Sequence, residues 1–204
     1  MKISHLLFSI LSCFAVVAGA AERPGGLSRT AASMATGQYE VLLSPAWTIA
    51  PGGAYLTSEM RFQSNDDLGV GVGFGAGEIG FNVGVNAVWY VAPDMASQPA
   101  FAVLGGLYFN RFDLENYFVV KITPIVSKEF KTSFGKVSPY AGMHVTPSFR
   151  LGEALNQLSL KASTGLQFAV ASMSGAHLWS EFGVGILNSN HEVVFGLSYP
   201  FTGL

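Results

Sequence analysis

In the stretch 156–170, Leu158, Leu160, Ala162, Thr164, Leu166, Phe168 and Val170 share one parity, and Gln157, Ser159, Lys161, Ser163, Gly165, Gln167 and Ala169 share the other. Successive side chains of a strand point to opposite faces, so the stretch predicts a strand with one oily and one wet face. Soluble strands usually run about 5–6 residues. A tilted strand needs roughly 9–11 to cross a bilayer, and this one is long enough.

The pattern recurs. In 54–63, Ala54, Leu56, Ser58, Met60 and Phe62 oppose Tyr55, Thr57, Glu59, Arg61 and Gln63. In 81–91, Phe81, Val83, Val85, Ala87, Trp89 and Val91 oppose Asn82, Gly84, Asn86 and Tyr90. Similar strands are predicted at 37–44, 68–74, 117–127, 137–151, 177–187 and 192–201, and one at 101–109 whose two faces are both apolar. Turn chemistry separates them: Ser64, Asn65, Asp66 and Asp67; Pro93 to Pro99; a polar stretch from Asn110 to Asn116; Asn188, Ser189 and Asn190. Pro124, Pro139 and Pro147 each remove a ladder donor and predict local irregularity. Gly69, Gly71 and Gly73 fall on the inward parity of 68–74, where they would make room for bulkier neighbours.

Ten segments predict a closed, antiparallel, up-and-down transmembrane β-barrel, with eight strands as the alternative count. Closure removes the free edges that lipid cannot satisfy, and an even number puts both termini on one side. The connections are all short, which argues against adhesion or receptor roles built on long external loops.

Composition narrows this further. Charged residues make up 12% of the 204, against a usual share of about 25%. Half of the chain is hydrophobic. Beyond the first twenty residues no run of about 18 apolar residues occurs, so the apolar content is spread at period two, as in barrels. Residues 1–20 predict a secretory signal peptide: basic Lys2, an apolar run over 6–17, and small Ala18, Gly19 and Ala20. Cys13, the one cysteine, leaves with it, so no disulfide is expected. Residues 21–36 read as a periplasmic lead-in and 37–204 as the barrel. The whole chain has 11 basic and 13 acidic residues, which offers no field for nucleic acid.

Val193, Phe195, Leu197, Tyr199 and Phe201 alternate with other residues at the end of the chain. This resembles the C-terminal strand signal of bacterial outer-membrane barrels. With the signal peptide and the repeated amphipathic strands, the chain resembles small barrels of the outer membrane protein A class. The resemblance implies a Gram-negative outer-membrane location after Sec-type export, and contact with lipid. It also implies that Phe195, Leu197, Tyr199 and Phe201 act as an assembly signal read by the barrel assembly machinery. The chain departs from it in that Thr202, Gly203 and Leu204 follow the last aromatic residue.

The inward parity predicts an interior polar network of Glu59, Arg61, Lys121, His144, Arg150, Lys161, Glu181 and Glu192, with Glu40 and His177 beside it. In a narrow barrel these charges are expected to pair, because an unpaired buried charge is costly. A barrel of about eight strands is filled by side chains and open channels need about sixteen, so size favours a filled lumen over a pore. Two other readings stand. A lipid- or peptide-hydrolysing barrel would need a nucleophile beside His144 or His177; Ser148 is too far along its own strand, and Ser163 is a possible cross-strand partner. A soluble lipocalin-like carrier would turn its oily face inward. No metal or cofactor is expected, because two separated histidines without cysteine make no zinc set. A monomer is expected. Trp47, Trp89, Trp179, Tyr90, Tyr117 and Tyr199 lie near strand ends and predict interfacial girdles.

Overall fold

Alternation alone organises this chain into strands of 10–16 residues, apart from one short flap. The computed structural model describes residues 29–49, 52–78, 80–112, 115–151, 155–170 and 175–202. The strands are β1 (Gln38–Ile49), β2 (Gly52–Asn65), β3 (Leu68–Gly77), β4 (Gly80–Ala92), β5 (Ala100–Phe112), β6 (Glu115–Ser127), β7 (Phe130–Thr132), β8 (Gly135–Arg150), β9 (Leu155–Val170), β10 (His177–Leu187) and β11 (Glu192–Thr202). Each pairs antiparallel with its sequence neighbour, except that β6 pairs with β8 and three-residue β7 folds onto the start of β8. The β1–β11 ladder, from Gln38 opposite Thr202 to Thr48 opposite Glu192, closes the sheet. The result is a ten-strand up-and-down barrel, the predicted fold. The predicted signal peptide lies outside the described residues.

The wall is apolar outside. Val41, Leu43, Val72, Phe74, Val85, Trp89, Leu107, Ile122, Phe182 and Phe195 all point outward and are 42–63% exposed. The inner parity of the same strands holds Glu40, Asn86, Thr123, Lys161 and Glu181, each at most 7% exposed. A soluble barrel has the opposite arrangement.

Two boundaries differ from the sequence reading, and one ambiguity is resolved. First, β1 continues through Pro45, Ala46, Trp47 and Thr48 to Ile49 instead of ending in a loop. Proline is tolerated there because the β1–β11 ladder skips Ser44 and Pro45, so the missing N–H breaks no bond on that side. Second, the stretch expected as a loop over 110–116 is strand on both sides of residues 113 and 114. Asn110 is an inward residue, 3% exposed, and not a turn residue. Third, β5 resolves its ambiguous faces: Ala102, Leu104 and Asn110 point in, Leu107 points out.

The remaining prolines sit at the β6–β8 seam. That ladder holds one register but drops the pairs around Pro124 and Pro147. Pro139 lies just past the ladder, where its carbonyl accepts the Lys128 N–H at 3.1 Å.

The two ends differ. At the end opposite the termini, successive strands are two, two, two, four and four residues apart. The terminal end carries the longer connections, including 93–99, which Lys128 clamps from the next turn. Its ammonium meets Asp94 Oδ1 at 2.6 Å and also donates to the Met95 carbonyl.

Candidate functional site

The lumen is the concave, charged part of this molecule, and two features shape it. The first is glycine. Tyr108 lies across the floor beside Gly84 and Gly106, and a Cβ on Gly84 would come within 2.2 Å of its ring and 2.6 Å of the Leu107 carbonyl. Likewise a Cβ on Gly71 would meet Glu59 Oε1 at 2.8 Å and Asn86 Oδ1 at 2.9 Å. Inward glycines are therefore the seats of large polar side chains reaching across from neighbouring strands.

The second feature is the chain preceding β1. Arg29, Thr30 and Ala31 are 5%, 6% and 2% exposed, inside the barrel mouth. This part of the predicted periplasmic lead-in thus occupies the lumen, whereas Ala32, Ser33, Ala35 and Thr36 are exposed. Ala31 joins an apolar cluster of Leu42, Val88, Ala102, Leu104, Ile125, Tyr140 and Trp179, so the lumen is oily at this end. The Ala31 N–H donates to Ser127 Oγ at 2.9 Å.

Along β1 and β2, charges form a chain. Arg61, on β2, meets Glu40 of β1 at 2.9 Å and Glu59 of β2 at 3.0 Å. Arg29 reaches the same Glu59 oxygen at 2.5 Å and donates to Asn86 Oδ1 at 3.2 Å, while Asn86 donates to Glu59 at 3.1 Å. His177 Nδ1 lies 3.5 Å from the other Glu40 oxygen. Beside this chain the Tyr140 hydroxyl donates to Glu181 at 3.0 Å, and the Trp179 indole N–H donates to Ser198 at 3.0 Å.

Toward the opposite end, Lys161 and Glu192 form an ion pair at 2.8 Å with side chains 2% and 0% exposed. His144 is fully buried, with its ring nitrogens 3.2 Å from Thr123 Oγ1 and 3.1 Å from Ser163 Oγ. The Ser163–His144 pairing that a hydrolase would need is therefore present. The second ring nitrogen, however, faces a threonine hydroxyl and not a carboxylate, so the orienting acid of a triad is missing. The turn between β10 and β11 covers this end: Ser189, Asn190 and His191 are 6–8% exposed, and Asn188 holds a positive φ of 46°. Ser159 Oγ donates to the Asn188 carbonyl at 2.8 Å.

Of the predicted network, Arg61, His144, Lys161, Glu181 and Glu192 are buried, and Glu59 and Lys121 are partly so. Arg150 differs. It is at the rim, 43% exposed, paired with Glu115 at 2.8 Å, because its strand ends there. Sequence reasoning missed Arg29, Tyr108 and Tyr140 as lumen residues. The expected girdle splits: Trp47, Trp89 and Tyr199 face outward at 47–61% exposure, but Trp179 and Tyr90 turn into the lumen, where indole and phenol find polar or core partners. Phe195, Leu197 and Tyr199 lie on the outer wall beside the closing seam at 46–50% exposure, and Phe201 stacks on Tyr39 across it.

No protein-family model matches this sequence, and no curated protein matches it. Solved structures of similar shape include a de novo designed transmembrane β-barrel, at 13% identity and a TM-score of 0.43, covering 82% of this chain and 98% of that one. Another is the COG4313 outer membrane channel from Pseudomonas putida F1, at 7% identity and a TM-score of 0.45, covering 88% and 100%. A third is the β domain of the Bordetella autotransporter BrkA, at 10% identity and a TM-score of 0.44, covering 81% and 98%.

Proposed function

We propose that this chain is an integral outer-membrane β-barrel whose charge-paired lumen gives it a structural or narrow-pore role. The observation that carries the reading is the inverted wall. Large apolar side chains ring the outside, and buried acids and bases meet inside. Hydrocarbon around the barrel makes that arrangement favourable, whereas water around it would expose a very large apolar surface. The soluble-carrier alternative requires the opposite faces. The interior network of Glu59, Arg61, Lys121, His144, Lys161, Glu181 and Glu192 then braces the wall from within, with Arg150 at its rim. The outward row Phe195, Leu197, Tyr199 and Phe201 would be the surface presented to the barrel assembly machinery before closure.

The test is fractionation of the expressing cells, coupled to heat-modifiable gel migration. The protein should pellet with outer membranes and resist alkaline extraction. It should also run faster unheated than boiled. Recovery in the soluble periplasm would end the reading.

A further inference from the structure

We propose that a groove on the outer wall between β1 and β6 binds one phospholipid of the leaflet on the terminal side, with an acyl chain along the groove and an ethanolamine ammonium at Asp66 and Asp67. The inference rests on the membrane-barrel reading above. The ladders set Tyr39, Phe62, Val70, Ala87, Gly105 and Ile122 opposite one another in a single row across six strands. A second row, from Met60 to Val120, runs beside it two residues further from the termini. Both rows face outward, and they line a groove of about 830 Å³. Ala87 and Gly105 keep it open: a Cβ on Gly105 would meet nothing within 4 Å. Apart from the Tyr39 hydroxyl, the outward side chains along it are apolar.

The groove has the length and slope that an acyl chain needs. Five strand spacings of about 4.8 Å make it roughly 24 Å long. Strands tilted by about 40° set it oblique to the membrane, so it climbs roughly 15 Å, the depth of one leaflet in a core about 30 Å thick. It begins at the terminal rim, where Tyr39 is the second residue of β1, and ends at Ile122, near the middle of β6. Tyr39 marks its mouth, with its ring centroid 4.8 Å from Phe62 and 5.6 Å from Phe201. Such aromatic clusters belong at the level where headgroups begin.

The charges at the mouth select the headgroup. Asp66 and Asp67 form the turn that joins the Phe62 and Val70 strands, and both are exposed. From residue 30 to residue 110 the one base is Arg61, which is buried and committed to Glu40 and Glu59. The exposed Lys131 and Lys136 of the terminal end lie across the barrel, on β7 and β8. A headgroup ending in an ammonium is therefore favoured here over a purely anionic one.

The experiment uses the mature chain folded into detergent micelles, with heat-modifiable migration verifying every variant. Native mass spectrometry follows the binding of phosphatidylethanolamine and of phosphatidylglycerol carrying the same chains. Wild type should bind one ethanolamine lipid about fivefold more tightly than the glycerol lipid. D66N/D67N should bring the two within about twofold of each other. G105L fills the groove and should weaken both about tenfold; A87L repeats the block from the facing strand should G105L fail to fold. A162L, outward on β9 and away from the groove, should bind as wild type does. Equal binding of the two lipids by wild type would overturn the headgroup assignment, and G105L and A87L proteins that bind like wild type would overturn the groove. So would a wild-type dimer that G105L dissolves, since a second copy would then cover this face. Wild type recovered soluble without detergent, and unable to enter ethanolamine-lipid vesicles, would instead sink the membrane reading.

Discussion

Lys161 and Glu192 give the sharpest energetic test of the lumen. At 2.8 Å an effective dielectric of about 20 corresponds to roughly 6 kcal/mol of attraction. Desolvation offsets much of that, since the two side chains are 2% and 0% exposed. The net value of the pair is therefore small, but each half is expensive without the other. K161M removes the ammonium and leaves the Glu192 carboxylate without its counter-charge; E192L does the reverse. Each should destabilise the barrel by about 3–5 kcal/mol. K161M/E192L replaces both charges with apolar groups of similar length over Gly183, and should fall within about 1–2 kcal/mol of wild type or above it. Reversible urea unfolding in lipid vesicles, followed by tryptophan fluorescence, measures all four corners of the cycle. The coupling should exceed about 2 kcal/mol. A double variant that loses the sum of the two single losses, with coupling below about 0.5 kcal/mol, would refute the idea that burial makes these charges interdependent.

Other outcomes follow from the same geometry. G84A drives a methyl group into Tyr108 and the Leu107 carbonyl, so it should cost at least about 1–3 kcal/mol in the same unfolding assay; G105A, at an outward glycine with open space above it, should not. Replacing Tyr199 and Phe201 with serine should slow assembly in cells, with unfolded chain accumulating in the periplasm, while folding of the purified variant into detergent changes less. At the terminal end, the Asp94 carboxyl is held below the usual carboxylate range by the Lys128 ammonium and then by the Glu129 N–H. A depressed folded value gives stability that is present above the unfolded value of about 3.9 and lost as pH falls through the folded one. Amide exchange in 93–99, corrected for intrinsic rate, should therefore rise below about pH 4 and stay low at neutral pH, and D94N should exchange fast at both.

How far the sequence disclosed this molecule depends on which inference is asked of it. Period-two alternation located β2, β4 and β9 closely, because each puts apolar side chains on its outer face and polar groups on its inner one. It failed where a polar letter was read as a turn. Asn110 is polar because it points into a polar lumen, and in an inside-out barrel that is a strand signal. It failed again at Pro45, since the gap in the ladder at Ser44 and Pro45 that accommodates proline is invisible without the β11 register. The charged lumen residues were legible from parity, but their partners were not, because pairing depends on stagger between strands. Arg29 had no periodic context at all. The one available clue was arithmetic: the inward parity of the strands carried four acids against three bases, once Arg150 is set at the rim.

The order of the ladders has a kinetic consequence. Every strand pair except one joins near neighbours along the chain; the exception, β1 with β11, brings Gln38 to Thr202. Hairpins can therefore zip up locally, while the last seam must wait for the whole ribbon to curl round. Until then both margins of the ribbon are raw templates for any stray strand. Sealing is thus one late, collective event, and a chain delayed just short of it is the species most exposed to misassociation.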